Sequence, residues 1–86
     1  VMKVIKFYAN WCGPCRVYNK AWEKVVEELS GIAEFQEVNV DEDTEGLAAE
    51  YKVRGIPHTV IHRNDNSLDQ KGGRMSVEAL KEFILK

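Results

Sequence analysis

Only 2 prolines, 6 glycines and 2 cysteines occur in these 86 residues. So few glycines and prolines exclude collagen-like and low-complexity chains. Two cysteines are too few for the disulfide scaffold of a small secreted domain. Charge of one sign is also missing, since 12 Lys and Arg stand against 14 Asp and Glu for a net −2. That balance is no electrostatic footprint for nucleic acid. No apolar run approaches the roughly 20 residues of a membrane span, and Val1 to Phe7, with Lys3 and Lys6, lacks a signal-peptide core. These absences give the expectation of one cytoplasmic domain over residues 1–86, without nucleic-acid or membrane partners and monomeric. What is present is globular: 44% of residues are hydrophobic and 30% charged. At this size only about 60% of the unfolded surface is buried, which predicts modest stability.

Periodicity and punctuation predict the elements. Val1 to Ala9 is short, apolar and rich in β-formers, and reads as a buried strand. The turn Asn10-Trp11-Cys12-Gly13-Pro14 ends it. A helix runs from about Pro14 to Leu29, with Pro14 in its first turn, where no backbone donor is needed. Tyr18, Trp22, Val25, Val26 and Leu29 form one helical stripe, and Gly31 marks the stop. Phe35 to Val40 reads as a second strand. Asp41-Glu42-Asp43-Thr44 supplies caps and first-turn acids for a short helix to about Lys52. Gly55-Ile56-Pro57 is a turn, and Thr59 to His62 a third strand. Asn64-Asp65-Asn66-Ser67 is hairpin chemistry. Leu68 to Lys71 reads as a weak edge strand, broken by Gly72-Gly73. Ser76 caps a last helix with Val77, Leu80, Phe83 and Ile84 inward. The order β-α-β-α-β-β-α predicts an α/β fold. It has a parallel right-handed β-α-β start, an antiparallel hairpin at the end, and helices on both faces of one mixed sheet.

Both cysteines lie in Cys12-Gly13-Pro14-Cys15, after a strand and at the start of a helix. A helix N-terminus presents unpaired N–H groups and positive dipole charge. A thiolate there is stabilised, and the thiol pKa falls from about 8.5 toward neutral. The two-residue spacer lets the sulfurs meet. Cys12 comes first and is expected to be the more exposed; Cys15, one turn inside, the more shielded. Two-step exchange needs that asymmetry, because one sulfur attacks and the other resolves. A zinc half-site is the competing reading. It would need four ligands, and His58 and His62 lie in a strand region, not at helical spacing. Inert buried thiols are the other alternative, opposed by the placement at a helix start.

Trp11-Cys12-Gly13-Pro14-Cys15 matches the active-site sequence of the thioredoxin family. Val4 to Trp11 resembles that family's central strand, Arg54-Gly55-Ile56-Pro57 its cis-proline loop, Gly73 its groove glycine and Ser76 to Ile84 its final helix. The resemblance covers nearly the whole chain and lacks the leading β-α unit of longer members, as in short forms from some phages and archaea. It implies a thioredoxin-like fold, with a four-stranded sheet in order 2-1-3-4 and three helices. It implies a dithiol–disulfide oxidoreductase that binds no metal or organic cofactor. Electrons would come from NADPH through a flavin-dependent thioredoxin reductase, and ribonucleotide reductase would be an acceptor. Pro57 would be cis, the Ile56 backbone would pair with an extended substrate, and Trp11 would flank the groove. Gly13, Pro14, His58 and Gly73 complete the expected substrate surface. Glutaredoxin-like, oxidant or isomerase chemistry, and a docking subunit on the same scaffold, are the alternatives.

Lys6 is the most informative departure. The resembled family usually has a buried aspartate there, and at the position of Glu37 a lysine. Val4, Lys6 and Tyr8 share one strand face, as do Phe35, Glu37 and Asn39. Parallel neighbours would therefore let Lys6 face Glu37. A lone buried ammonium costs several kcal/mol, which a hydrogen-bonded partner offsets; the alternative is that Lys6 snorkels to solvent. Lys6 and Glu37 thus join Cys12 and Cys15 in the expected catalytic set, with Lys6 favouring the Cys15 thiolate and Glu37 accepting its proton. His58 would lower the Cys12 pKa or else face solvent. Lys20 stands where the family has a helix-kinking proline and predicts a straight helix. Lys52 and Arg54 would steer acidic partners or form a solvated rim.

Overall fold

The computed structural model describes all 86 residues. Strand β1 (Met2–Tyr8) leads into helix α1 (Gly13–Leu29), then β2 (Ala33–Asn39), a 3-10 turn (Val40–Glu42), α2 (Leu47–Glu50), β3 (His58–His62), β4 (Leu68–Gly72) and α3 (Val77–Leu85). The sheet order is β2-β1-β3-β4. β1 pairs parallel with β2 and antiparallel with β3, and β3 pairs antiparallel with β4. This is the expected mixed sheet with three helices, and its order is as predicted.

β1 is central and covered on both faces, and apart from Lys6 its buried residues are apolar. Val4 faces α1 and α3 and joins Tyr18, Trp22, Val25, Ile61, Leu80 and Ile84 in the larger core. Ile5 and Phe7 point the other way, to Val38 and Val60, under Leu47, Ala48 and Tyr51 of the α2 region. Each full burial of such a side chain contributes roughly 1.5–3 kcal/mol, so β1, which supplies both cores, is the element the fold depends on most. Of the α1 stripe, Tyr18, Trp22 and Val25 are buried, while Val26 and Leu29 pack at the margin. α1 runs unbroken for 17 residues through Lys20.

The expected helix from Asp41 to Lys52 is not one helix. Its first residues form the 3-10 turn, which Asn39 caps by accepting the Asp41 N–H. Gly46 adopts φ +70, a left-handed geometry that interrupts helical propagation. The chain restarts as the four-residue α2. Asp43 carries the capping role, accepting the N–H groups of Leu47 at 2.9 Å and Ala48 at 2.8 Å. Lys52, at φ +57, lies beyond the helix.

The hairpin between β3 and β4 turns at Asn66, φ +71, with Asp65 Oδ1 accepting the Ser67 N–H. β4 is the exposed edge strand expected. Ser76 Oγ caps α3 through the Ala79 N–H. At the other end of α3, Arg63 donates to the carbonyls of Phe83, Ile84 and Lys86 and pairs with Asp69. These are the carbonyls a helix end leaves without partners.

Candidate active site

β1 ends at Tyr8, and the chain turns so that Cys12 N–H donates to Ala9 O at 3.2 Å. Cys12 becomes the N-cap of α1 with extended backbone, and its Sγ accepts the Cys15 N–H at 3.2 Å. A sulfur thus occupies the place of an ordinary capping oxygen. Cys12 and Cys15 are joined as a disulfide, their Cα atoms 5.2 Å apart. Cys12 is 5% exposed and Cys15 1%. The order is as expected, but the contrast is small: both sulfurs are covered, and Cys12 is merely the one nearer the surface. Gly13 and Pro14 are exposed on the first turn. Arg16 donates to Asn10 O at 3.0 Å, tying the turn to the helix.

The opposite wall comes from the segment before β3. The Ile56–Pro57 peptide is cis, Pro57 is buried, and Ile56 O lies 3.8 Å from Cys12 Sγ. Gly73 N–H donates to Pro57 O at 2.8 Å and holds φ +92, where a side chain would be strained. A shallow groove follows this seam between Arg54, Pro57, His58 and Gly73. A second, more apolar one lies between Trp11, Val40, Val53 and Ile56. The Trp11 indole is 67% exposed and fixed by its N–H donating to Asp41 Oδ2 at 2.9 Å. The ring is therefore held at the surface beside a covered disulfide and is not part of the core.

His58 does not turn toward the sulfurs. It shares a strand face with Val60 and His62, on the α2 side. Its ring meets Phe7 edge-on and Nε2 bonds Gln70 Oε1 at 2.7 Å. His62 is likewise engaged, with Tyr51. No three His, Cys, Asp or Glu side chains converge as metal ligands.

Lys6 is wholly buried beneath α1. It lies opposite Glu37 in the parallel register, and its Nζ pairs with Glu37 Oε1 at 2.9 Å. The ammonium also donates to Asn19 Oδ1. The rings of Trp22 and Tyr8 face it at 5.1 and 5.3 Å, a range in which ring faces attract a cation. Glu37 is half-exposed, so the pair joins the interior to solvent. The hydrogen bonds of Lys6 go to Asn19 and Glu37, not to Cys15; Asn19 is the helical turn after Cys15. Asn19 is the member that sequence reasoning missed. Its spacing of four from Cys15, beside the apolar stripe, was the available signal.

The thioredoxin family model matches residues 1–86. The chain is 33% identical to a thioredoxin of Mycoplasmoides gallisepticum over 81 residues, covering 94% of this chain and 79% of that one. It is 34% identical to the mitochondrial thioredoxin of Bos taurus over 83 residues, 96% of this chain but only 49% of that one. Among solved structures, a thioredoxin from Fasciola hepatica superposes with TM-score 0.84 at 34% identity, over 96% of this chain and 77% of that one. A thioredoxin from Halobacterium salinarum superposes with TM-score 0.84 at 32% identity, over 96% and 71%.

Proposed function

The chain belongs to the thioredoxin family, and from that premise we propose how its residues carry out thiol–disulfide exchange. The observation that supports the reading most is the Cys12–Cys15 disulfide at the N-terminus of α1, with Ile56 and the cis Pro57 against it. In the reduced protein, the Cys12 thiolate is favoured by the helix N-terminus and attacks one sulfur of a substrate disulfide. The other substrate sulfur leaves as a thiolate and takes a proton from solvent. Cys15, as thiolate, then attacks Cys12 Sγ in the mixed disulfide. The second substrate thiolate leaves, and the Cys12–Cys15 bond re-forms. Two electrons pass to the substrate and no bound cofactor takes part.

The substrate lies as an extended segment along Ile56, Pro57 and Gly73, adding a strand by its backbone, with Trp11, Gly13 and Pro14 at the other rim. Lys6 acts at a distance. Its buried positive charge, bonded to Asn19 one helical turn after Cys15, favours the Cys15 thiolate in the resolving step. Glu37 accepts the Cys15 proton, directly or through water. Residues 1–86 act as one domain and as a monomer in the cytoplasm. An NADPH-dependent thioredoxin reductase restores the dithiol, and protein disulfides such as that of ribonucleotide reductase consume it. His58, engaged with Gln70, gives no support to an oxidant reading.

The test is reduction of insulin disulfides with dithiothreitol as the electron source. The wild-type chain accelerates the reaction, and the double variant Cys12→Ser/Cys15→Ser does not. Equal rates with both would remove the oxidoreductase reading and leave a docking module.

A further inference from the structure

Residues 10–16 hold Cys12, residues 52–58 form the wall against it, and residues 71–76 carry Gly73 against Pro57. They contain Arg16, Lys52, Arg54, Lys71 and Arg74 and not one Asp or Glu, although the chain as a whole is net negative with 14 acids. All five cations are exposed, and none has a carboxylate partner; the ion pairs of the molecule lie elsewhere, at Glu37, Asp69 and Glu28. Arg54 stands between the two grooves and lines both. Arg74 follows Gly73 on the opposite bank. Acids enter only from the Trp11 side, where Val40 packs against the cysteine pair and is followed by Asp41 and Glu42, Asp41 being engaged with the Trp11 ring N–H.

We propose that this rim selects disulfides flanked by acidic residues: the partner is an extended protein segment carrying Asp or Glu next to its cysteine. The proposal deepens the disulfide-reductase reading above and rests on it. Unpaired cations about an attack site raise the local concentration of an anionic substrate and its encounter rate. Their effect is screened by salt, because the Debye length falls from about 10 Å at 0.1 M to about 3 Å at 1 M. Arg54 and Arg74 flank the Pro57–Gly73 seam, whereas Asp41 and Glu42 lie on the Trp11 side, so the charge also orients the segment in the groove.

Three disulfide-bridged peptides, identical except for Glu, Gln or Lys on both sides of one cysteine, provide the test. Their reduction by the dithiol form is followed at low and at high salt. The Glu peptide is expected to react about tenfold faster than the Gln peptide at low salt and the Lys peptide slowest, with the differences collapsing near 1 M. In Arg54→Gln/Arg74→Gln the ratio of Glu to Gln peptide rates falls toward one, and in Arg54→Glu/Arg74→Glu the order inverts. Both residues are exposed, so folding is not at stake. Equal rates for all three peptides at low salt overturn the proposal and leave the reductase reading standing. Reduction of none of them overturns the reductase reading, and the proposal with it.

Discussion

Lys6 Nζ and Glu37 Oε1 meet at 2.9 Å across the parallel β1–β2 register, one side chain fully buried and the other half-exposed. The two partners therefore carry unequal desolvation costs. Removing Glu37 leaves a buried ammonium with only Asn19 and two ring faces; removing Lys6 leaves a carboxylate that reaches water. Glu37→Leu is expected to destabilise by about 1–3 kcal/mol, below the loss for a fully buried pair because Asn19 remains. Lys6→Met is expected to cost less than about 1 kcal/mol or to stabilise, since an apolar side chain suits the site. Urea midpoints decide this, and a larger loss for Lys6→Met contradicts the asymmetry.

In the proposed resolving step the same charge bears on the chemistry. A cation near Cys15 stabilises the reduced, thiolate form. Lys6→Met should therefore make the couple more reducing, by about 30 mV for a tenfold change in the exchange constant. It should slow the resolving step more than the first attack, which stopped-flow mixing with a disulfide substrate separates. Equal slowing of both steps, or an unchanged potential, counts against a role for Lys6.

Tyr18 and Thr59 share a hydrogen bond of 2.6 Å inside the larger core. Burial pushes the Tyr18 phenol up from 10.0 to about 12, the bond to Thr59 opposing only part of that. The unfolded chain then releases this proton at lower pH than the folded one. Stability is fully present below pH 10 and falls as pH rises toward 12, by about 2–3 kcal/mol from this group. Tyr18→Phe should lose about 1 kcal/mol at neutral pH and flatten that alkaline slope. An unaltered slope would assign the alkaline loss to other groups.

Arg63 joins the β3–β4 hairpin to the end of α3 through three carbonyls and Asp69. Arg63→Ala is expected to cost about 2–3 kcal/mol and to speed amide exchange in the last turn of α3. Arg63→Lys should recover only part, because an ammonium cannot reproduce the planar fork.

The sheet was legible in the sequence because β-strand alternation has a period of two. That parity put Lys6 and Glu37 on strand faces that meet when β1 and β2 pair in parallel, while the strand order came from the family resemblance. The direction of His58 was legible by the same parity, since it alternates with Thr59 and Ile61 and so shares a face with Val60. The break in the expected Asp41–Lys52 helix depends on Gly46 in a left-handed conformation and on Asp43 reaching forward to the N–H groups of Leu47 and Ala48. Several acids in a row could each have been the cap, so composition alone did not choose between them. The contacts of Asn19, Arg63 and Asp41 are tertiary. Those of Asn19 with Lys6, of Arg63 with the end of α3 and of Asp41 with Trp11 span 13 to 30 residues, so no local pattern names the partner, even where, as for Asn19, the spacing from Cys15 marks the position.

Division of labour between the two sulfurs is the centre of the account, and a trapping experiment addresses it directly. Single variants Cys15→Ser and Cys12→Ser are reduced and mixed with a disulfide substrate, and the covalent adducts are weighed by mass spectrometry. The account predicts a stable mixed disulfide through Cys12 in Cys15→Ser and almost none in Cys12→Ser, whose remaining sulfur is the more covered one. An adduct through Cys15 in Cys12→Ser, formed as fast as or faster than the Cys12 adduct, would contradict it.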